Sequence, residues 1–208
     1  MKGQWTKLLV VTVAFLLIAG ACVAPPASPT PTPVPPPTPT PNPAAPVQAW
    51  VDALNSGDVD ATLALFTNDI KFSVFEYNAT GKDQLREIFD WLAGLETKYR
   101  ITECQPKEDP VACSLLVADA CIAGFGAIDG LPTKMEFSFQ GDGKILKVSG
   151  NLEGSEWDNY FSKWVMPGTS WMRANRPDES AKVDAAANRR EAGAIQAKLC
   201  KEYGESLK

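Results

Sequence analysis

The sequence predicts an α+β domain in which helices near its start pack on one face of a curved antiparallel sheet, with a helical extension after it. Three observations predict this. Apolar residues recur at helical spacing in two segments between Val47 and Leu95, with one short alternating segment between them. From Lys98 to Leu152 the pattern turns to period two, broken by loops rich in Gly, Pro and Asp. From residue 155 onward the chain returns to a polar, helix-forming composition. Helices first and then a run of strands is the order of an α+β fold rather than of alternating βαβ units.

Four segments follow in order. Residues 1–22 read as an export leader: Lys2 and Lys7 supply a positive start and residues 8–18 an apolar run. The run is short for a membrane span, which takes about 20 apolar residues. It ends Ala19-Gly20-Ala21-Cys22, which resembles the lipobox of bacterial lipoproteins. That resemblance implies cleavage before Cys22, acylation of its thiol and anchoring to the outer face of the cell membrane; the alternative is a plain secretory signal. Residues 23–46 hold most of the 17 prolines, in the uncharged run PPASPTPTPVPPPTPTPNPAAP. Proline fixes φ and lacks an N–H, so this segment is expected to be an extended spacer, rising about 3.1 Å per residue.

Residues 47–154 are the expected folded domain. Val47, Trp50, Val51 and Leu54 share one helical face, and Asn55-Ser56-Gly57 ends that helix. Asp58 is placed to cap a second helix with Leu63, Leu65 and Phe66 on its buried side. Ile70 to Val74 alternates as a strand, Asn78-Ala79-Thr80-Gly81 reads as a turn, and Lys82 to Leu95 as a helix. Lys98 to Gln105 and Val111 to Ala123 read as strands joined by a hairpin loop at 106–110. Thr133 to Gln140 sets Met135, Phe137 and Phe139 against Lys134, Glu136 and Ser138, and Lys144 to Leu152 returns after Gly141-Asp142-Gly143. Residues 155–208 are the helical extension, with breaks expected at Pro167-Gly168 and Pro177.

With Cys22 assigned to lipid, Cys104, Cys113, Cys121 and Cys200 remain, an even number suited to an oxidising compartment. If Cys113 and Cys121 lie on one strand, eight residues apart, they exceed the roughly 7 Å Cα limit for a disulfide. Cys104 faces Cys113 across the hairpin, so the expected pairs are Cys104–Cys113 and Cys121–Cys200, against the alternative of free buried thiols. Their spacing does not suit zinc, and no metal or cofactor is expected.

Composition excludes several functions. The net charge is −5, and removal of the leader takes two of the 20 basic residues and none of the 25 acidic ones, so no nucleic-acid partner is expected. The chain contains no histidine, which removes Ser-His-Asp and Cys-His catalysis, His-ligated metals and histidine acid–base chemistry.

The stretch WVDALNSGDVD at 50–60, then LFTND at 65–69, Gly81-Lys82 and FSFQGDGKI at 137–145, resembles the nuclear transport factor 2-like superfamily. That group includes ketosteroid isomerases and SnoaL-like polyketide cyclases. The resemblance implies a cone, a bent sheet wrapped around helices with a pocket at one end. It places the isomerases' tyrosine donor at Trp50, their aspartate base at Val74 and their protonated aspartate at Met135. An apolar pocket without base or paired donors cannot move a proton from carbon, so isomerase activity of that type is not expected. Trp50, Leu54, Phe72, Val74, Met135, Phe137, Val148 and Leu152 are left to line the cone, around a small apolar ligand or as solid core. Asp119 is the one candidate acid or base, in an otherwise apolar strand; it is either buried with a raised pKa or turned to solvent. Tyr77 stands where it can reach a pocket mouth. The family's cones pair through the outer face of the sheet, which makes a homodimer one expectation and a helical extension covering that face the other. The functional expectation is a membrane-anchored, non-catalytic module that binds a small apolar ligand or a protein partner. The alternative is a tethered cyclase or hydrolase using Asp119.

Overall fold

The computed structural model describes residues 44–105, 109–127, 129–152 and 156–208. The leader, Cys22 and nearly all of the proline-rich spacer lie outside the described residues, as does most of the expected hairpin loop at 106–110.

Helix α1 (Ala45–Ser56) buries Val47, Trp50, Val51 and Leu54, the face its spacing predicts. It stops at Gly57, whose φ of 75° is a left-handed conformation that glycine adopts without penalty. Asp58 caps α2 (Val59–Ala64) by accepting the Ala61 amide at 2.9 Å. Strand β1 (Phe66–Val74) starts earlier than its alternation indicates, so Phe66 belongs to the sheet. The expected turn at Asn78–Gly81 is instead strand β2 (Tyr77–Thr80), paired antiparallel to β1 with Phe72 opposite Ala79. The reversal falls earlier, at Phe75, whose φ is 53°. Helix α3 (Lys82–Gly94) follows and buries Leu85, Phe89 and Leu92.

Strands β3 (Lys98–Gln105) and β4 (Val111–Ala118) form the expected hairpin, with Cys104 opposite Cys113. The apolar run then leaves the sheet, because the Asp119 side chain caps a short helix, α4 (Ala120–Gly124). Asp119 and Cys121 are therefore not strand residues. Strands β5 (Leu131–Phe139) and β6 (Ile145–Leu152) complete a six-stranded curved sheet, not closed, in the order β2-β1-β6-β5-β4-β3. Every pairing is antiparallel except β1 with β6, which is parallel. The concave face closes on α1 to α3 around Trp50, Phe66, Phe89 and Phe137, each at most 1% exposed.

The extension runs as α5 (Glu156–Tyr160), a π-helical turn at Phe161–Val165, α6 (Met166–Asn175), α7 (Pro177–Ala185) and α8 (Arg189–Ser206). Pro167 does not break it. It lies just past the π-helical turn, where the wider i→i+5 pattern accommodates a residue without an N–H. Helix α8 packs on α3 and α4. A second apolar cluster forms there, including Leu95, Phe125, Met172, Leu199 and Tyr203. The outward face of the sheet carries exposed Lys71, Lys134, Glu136 and Lys147. Both expected disulfides are formed: Cys104–Cys113 with Cα atoms 4.1 Å apart, and Cys121–Cys200 at 4.7 Å. The second joins α4 to α8 and closes a loop of 79 residues.

Candidate functional site

The sheet's inward residues and the first turn of α4 leave a small cavity of about 80 Å³ at the end of the core. Its walls come from separate parts of the chain: Phe75 to Tyr77, Leu92 of α3, Thr97 and Tyr99, Val117 with Asp119 and Ile122, Leu131, Leu152, and Tyr160. Each arrives for a local reason. Phe75 and Glu76 turn the chain between β1 and β2, which sets Tyr77 at the start of β2. Asn55 holds β3 in place from α1, its amide donating to the Tyr99 carbonyl and its oxygen accepting the Tyr99 amide, both at 2.8 Å.

Asp119 is the acid whose proton affinity this setting changes. Its Oδ1 accepts the amides of Cys121 at 2.8 Å and Ile122 at 2.7 Å, the two bonds that cap α4. Both use the same oxygen, which leaves Oδ2 to the cavity. The residue as a whole is half-buried. Burial pushes the Asp119 carboxyl up to about 6. The two amides pull the other way, and the Glu76 charge adds to the rise. The Tyr77, Tyr99 and Tyr160 phenols are all driven above their ordinary value, first by burial. They stay protonated throughout the physiological range. Thr97 is 3% exposed, and its hydroxyl has no hydrogen-bond partner among the described residues.

A second, open groove of about 680 Å³ lies between β2, α3 and the start of α8. Tyr77 lines both spaces, and Trp91, on the groove side, donates its indole N–H to the Tyr77 hydroxyl at 3.1 Å. This pair forms the wall between groove and cavity.

Of the residues expected to line the cone, Trp50, Leu54, Phe72, Val74, Met135, Phe137 and Val148 lie in the main core. Leu152 is the one that reaches the cavity. Trp50 packs against Tyr99 and Phe137, at 5.2 and 5.3 Å between ring centroids, and its indole N–H is buried without a partner. Asp119 and Tyr77 come together at the cavity, joined by Glu76, Thr97, Tyr99 and Tyr160, which sequence reasoning missed. The inward phase of β3 could have marked Tyr99; nothing local marks Tyr160. Among the described residues no cluster of three His, Cys, Asp or Glu side chains could hold a metal ion. The site therefore offers neutral phenol donors, one carboxyl that exchanges its proton near pH 6, and apolar walls.

Residues 47–145 match the SnoaL-like domain family. The chain carries a SnoaL-like domain. Strand β6 completes the sheet of this SnoaL-like domain beyond the matched residues. Similar solved structures include SalBIII, an epoxide hydrolase/cyclase-like enzyme with a role in pyran ring formation in the polyether salinomycin. It is 21% identical, covers 54% of this chain and 92% of its own, and has a TM-score of 0.44. A nuclear transport factor 2-like protein of unknown function from Cytophaga hutchinsonii is 11% identical, with 58% and 99% covered and a TM-score of 0.45. A putative polyketide cyclase from Sinorhizobium meliloti is 16% identical, with 52% and 93% covered and a TM-score of 0.44. No curated protein matches the chain.

Proposed function

We propose that this chain is an exported, lipid-anchored SnoaL-like domain that binds a small ligand in the Asp119 cavity. The observation that carries the reading is the cavity itself: mostly apolar walls around a carboxyl whose outer oxygen the fold leaves uncommitted. Concave sites with a few convergent polar groups on an apolar lining are the usual form of ligand pockets. At about 80 Å³ the cavity is well below the roughly 300–1,000 Å³ of drug-sized pockets, so its occupant has only a few heavy atoms. Native mass spectrometry of the protein purified from its host is the test. A retained small mass that is lost on substituting Val117→Phe, which fills the cavity, supports the reading; an unliganded protein under all isolation conditions overturns it.

The anchor rests on Lys2, Lys7, the apolar run at 8–18 and Ala19-Gly20-Ala21-Cys22, followed at once by the proline spacer. The two disulfides fit an oxidising compartment outside the cytoplasm. Two acyl chains hold a protein where a single chain gives only marginal binding. Metabolic labelling with a fatty acid is expected to mark the wild type and to leave Cys22→Ser unlabelled and released from the membrane.

The proton affinity of Asp119 favours one second reading, a tethered cyclase or hydrolase with this residue as acid or base. The two readings separate on Asp119→Asn. A binder loses affinity and forms no product, whereas an enzyme shows turnover that changes near pH 6 in the wild type and is abolished in the variant.

A further inference from the structure

We infer that the Asp119 cavity is a site for a small alkylammonium ion. The inference rests on reading this cavity as a ligand site and names the ligand's class. Three independent features of the wall point to a cation. Four aromatic residues, Phe75, Tyr77, Tyr99 and Tyr160, surround a space only a few atoms wide. Aromatic faces carry negative charge density, and cages of this composition attract organic ammonium ions more strongly than neutral groups of the same shape. Two acidic residues share the wall, Asp119 and the exposed Glu76, and among the described residues no lysine or arginine lines it. The third feature is the buried Thr97 hydroxyl, which lacks a partner among the described residues. A buried polar group without a hydrogen bond is costly and rare, and the oxygen of this one can accept an N–H from whatever fills the cavity.

The arrangement also sets the ligand's form. With Oδ1 committed to the α4 amides, Asp119 offers Oδ2, and Thr97 offers its hydroxyl. A cation with at least two N–H groups satisfies both and lays its alkyl carbons against the rings. At about 30 Å³ for each water-sized group, the cavity takes about three such groups. A primary ammonium on a two-carbon chain fits this description. A carboxylate or phosphate does not, because it would face Asp119 and Glu76.

Ligand-observed NMR titration of the full-length protein at pH 7.5 tests the inference, with ethylammonium chloride and ethanol as probes. The two have the same number of heavy atoms and differ in charge. The expected result is saturable binding of the ammonium at least tenfold tighter than of the alcohol. Asp119→Asn, which keeps an oxygen for the α4 amides, is expected to weaken the ammonium at least tenfold and to leave the alcohol within about twofold. Equal binding of the two probes, or ammonium binding undiminished in Asp119→Asn, overturns the cation inference while the cavity stands as a ligand site. Binding of neither probe overturns both readings.

Discussion

The carboxyl group of Asp119 divides its oxygens between two tasks, one structural and one facing the cavity. Its folded-state pKa of about 6 lies above the ordinary value of 3.8, so the native protein holds a proton that the unfolded chain gives up. The stability this contributes is full below about pH 4 and is lost as pH rises through about 6. The difference is roughly 3 kcal/mol across that window. Asp119→Asn keeps the cap and cannot ionise. Urea denaturation at a series of pH values is expected to show a flatter profile between pH 4 and 6.5 for the variant. At pH 7.5 the variant should be the more stable protein. Asp119→Ala also removes the charge but loses the cap, at a cost of about 1 kcal/mol, and should fall below Asp119→Asn at every pH. Phe137, fully buried against Trp50, offers a contrast without titration. Phe137→Ala is expected to cost about 3–5 kcal/mol at any pH, read from the same denaturation curves.

Between elements, close approach decides the packing. Helix α8 meets α3 at Gly193 against Gly94, and meets α4 at Gly204 against Gly124. A Cβ added at Gly193 would overlap the Trp91 carbonyl and press on Gly94, and one at Gly204 would overlap the Gly124 carbonyl. An alanine would raise the intrinsic helix preference of α8 by about 1 kcal/mol, yet it forces the helices apart. Overpacking of this kind typically costs about 1–3 kcal/mol, so Gly193→Ala and Gly204→Ala should each lower the melting temperature despite the better helix former. These contacts were not legible in the sequence, where both glycines look like interruptions in a polar helix. Helices α1 and α3 were legible, because their buried faces repeat at helical spacing, and so was β5, where Met135, Phe137 and Phe139 alternate with polar residues. Strand β2 was not, since Asn78-Ala79-Thr80 has the composition of a turn and only pairing with β1 makes it a strand. Nor was α4: the run from Val111 to Ala123 is apolar but for Ser114 and Asp119, and what ends the strand is a hydrogen bond accepted by that aspartate's side chain. The cavity suffers the same limit. Periodicity tells which face of a strand turns inward, but not which inward residues from separate elements meet at the end of the core.

For the whole molecule, the Cys121–Cys200 bond cross-links the SnoaL-like domain to its extension. Closing 79 residues, it is expected to contribute about 2–4 kcal/mol. The double variant Cys121→Ser, Cys200→Ser should lose that amount in chemical denaturation, with the far-ultraviolet spectrum of the sheet retained. Cys104→Ser, Cys113→Ser should lose less, because its nine-residue loop restrains the unfolded chain less. The longer bond has a further consequence, because Cys121 also donates its backbone amide to Asp119. The residue that is oxidised is the one that orients the acid. Besides the Asp119 cap, α4 is held by its packing on α8, where Gly204 meets Gly124, and the disulfide locks that contact covalently. The redox state of this bond is thereby tied to the cavity: its reduction is expected to loosen α4 on α8, and with it the wall at Asp119, while the sheet stays folded.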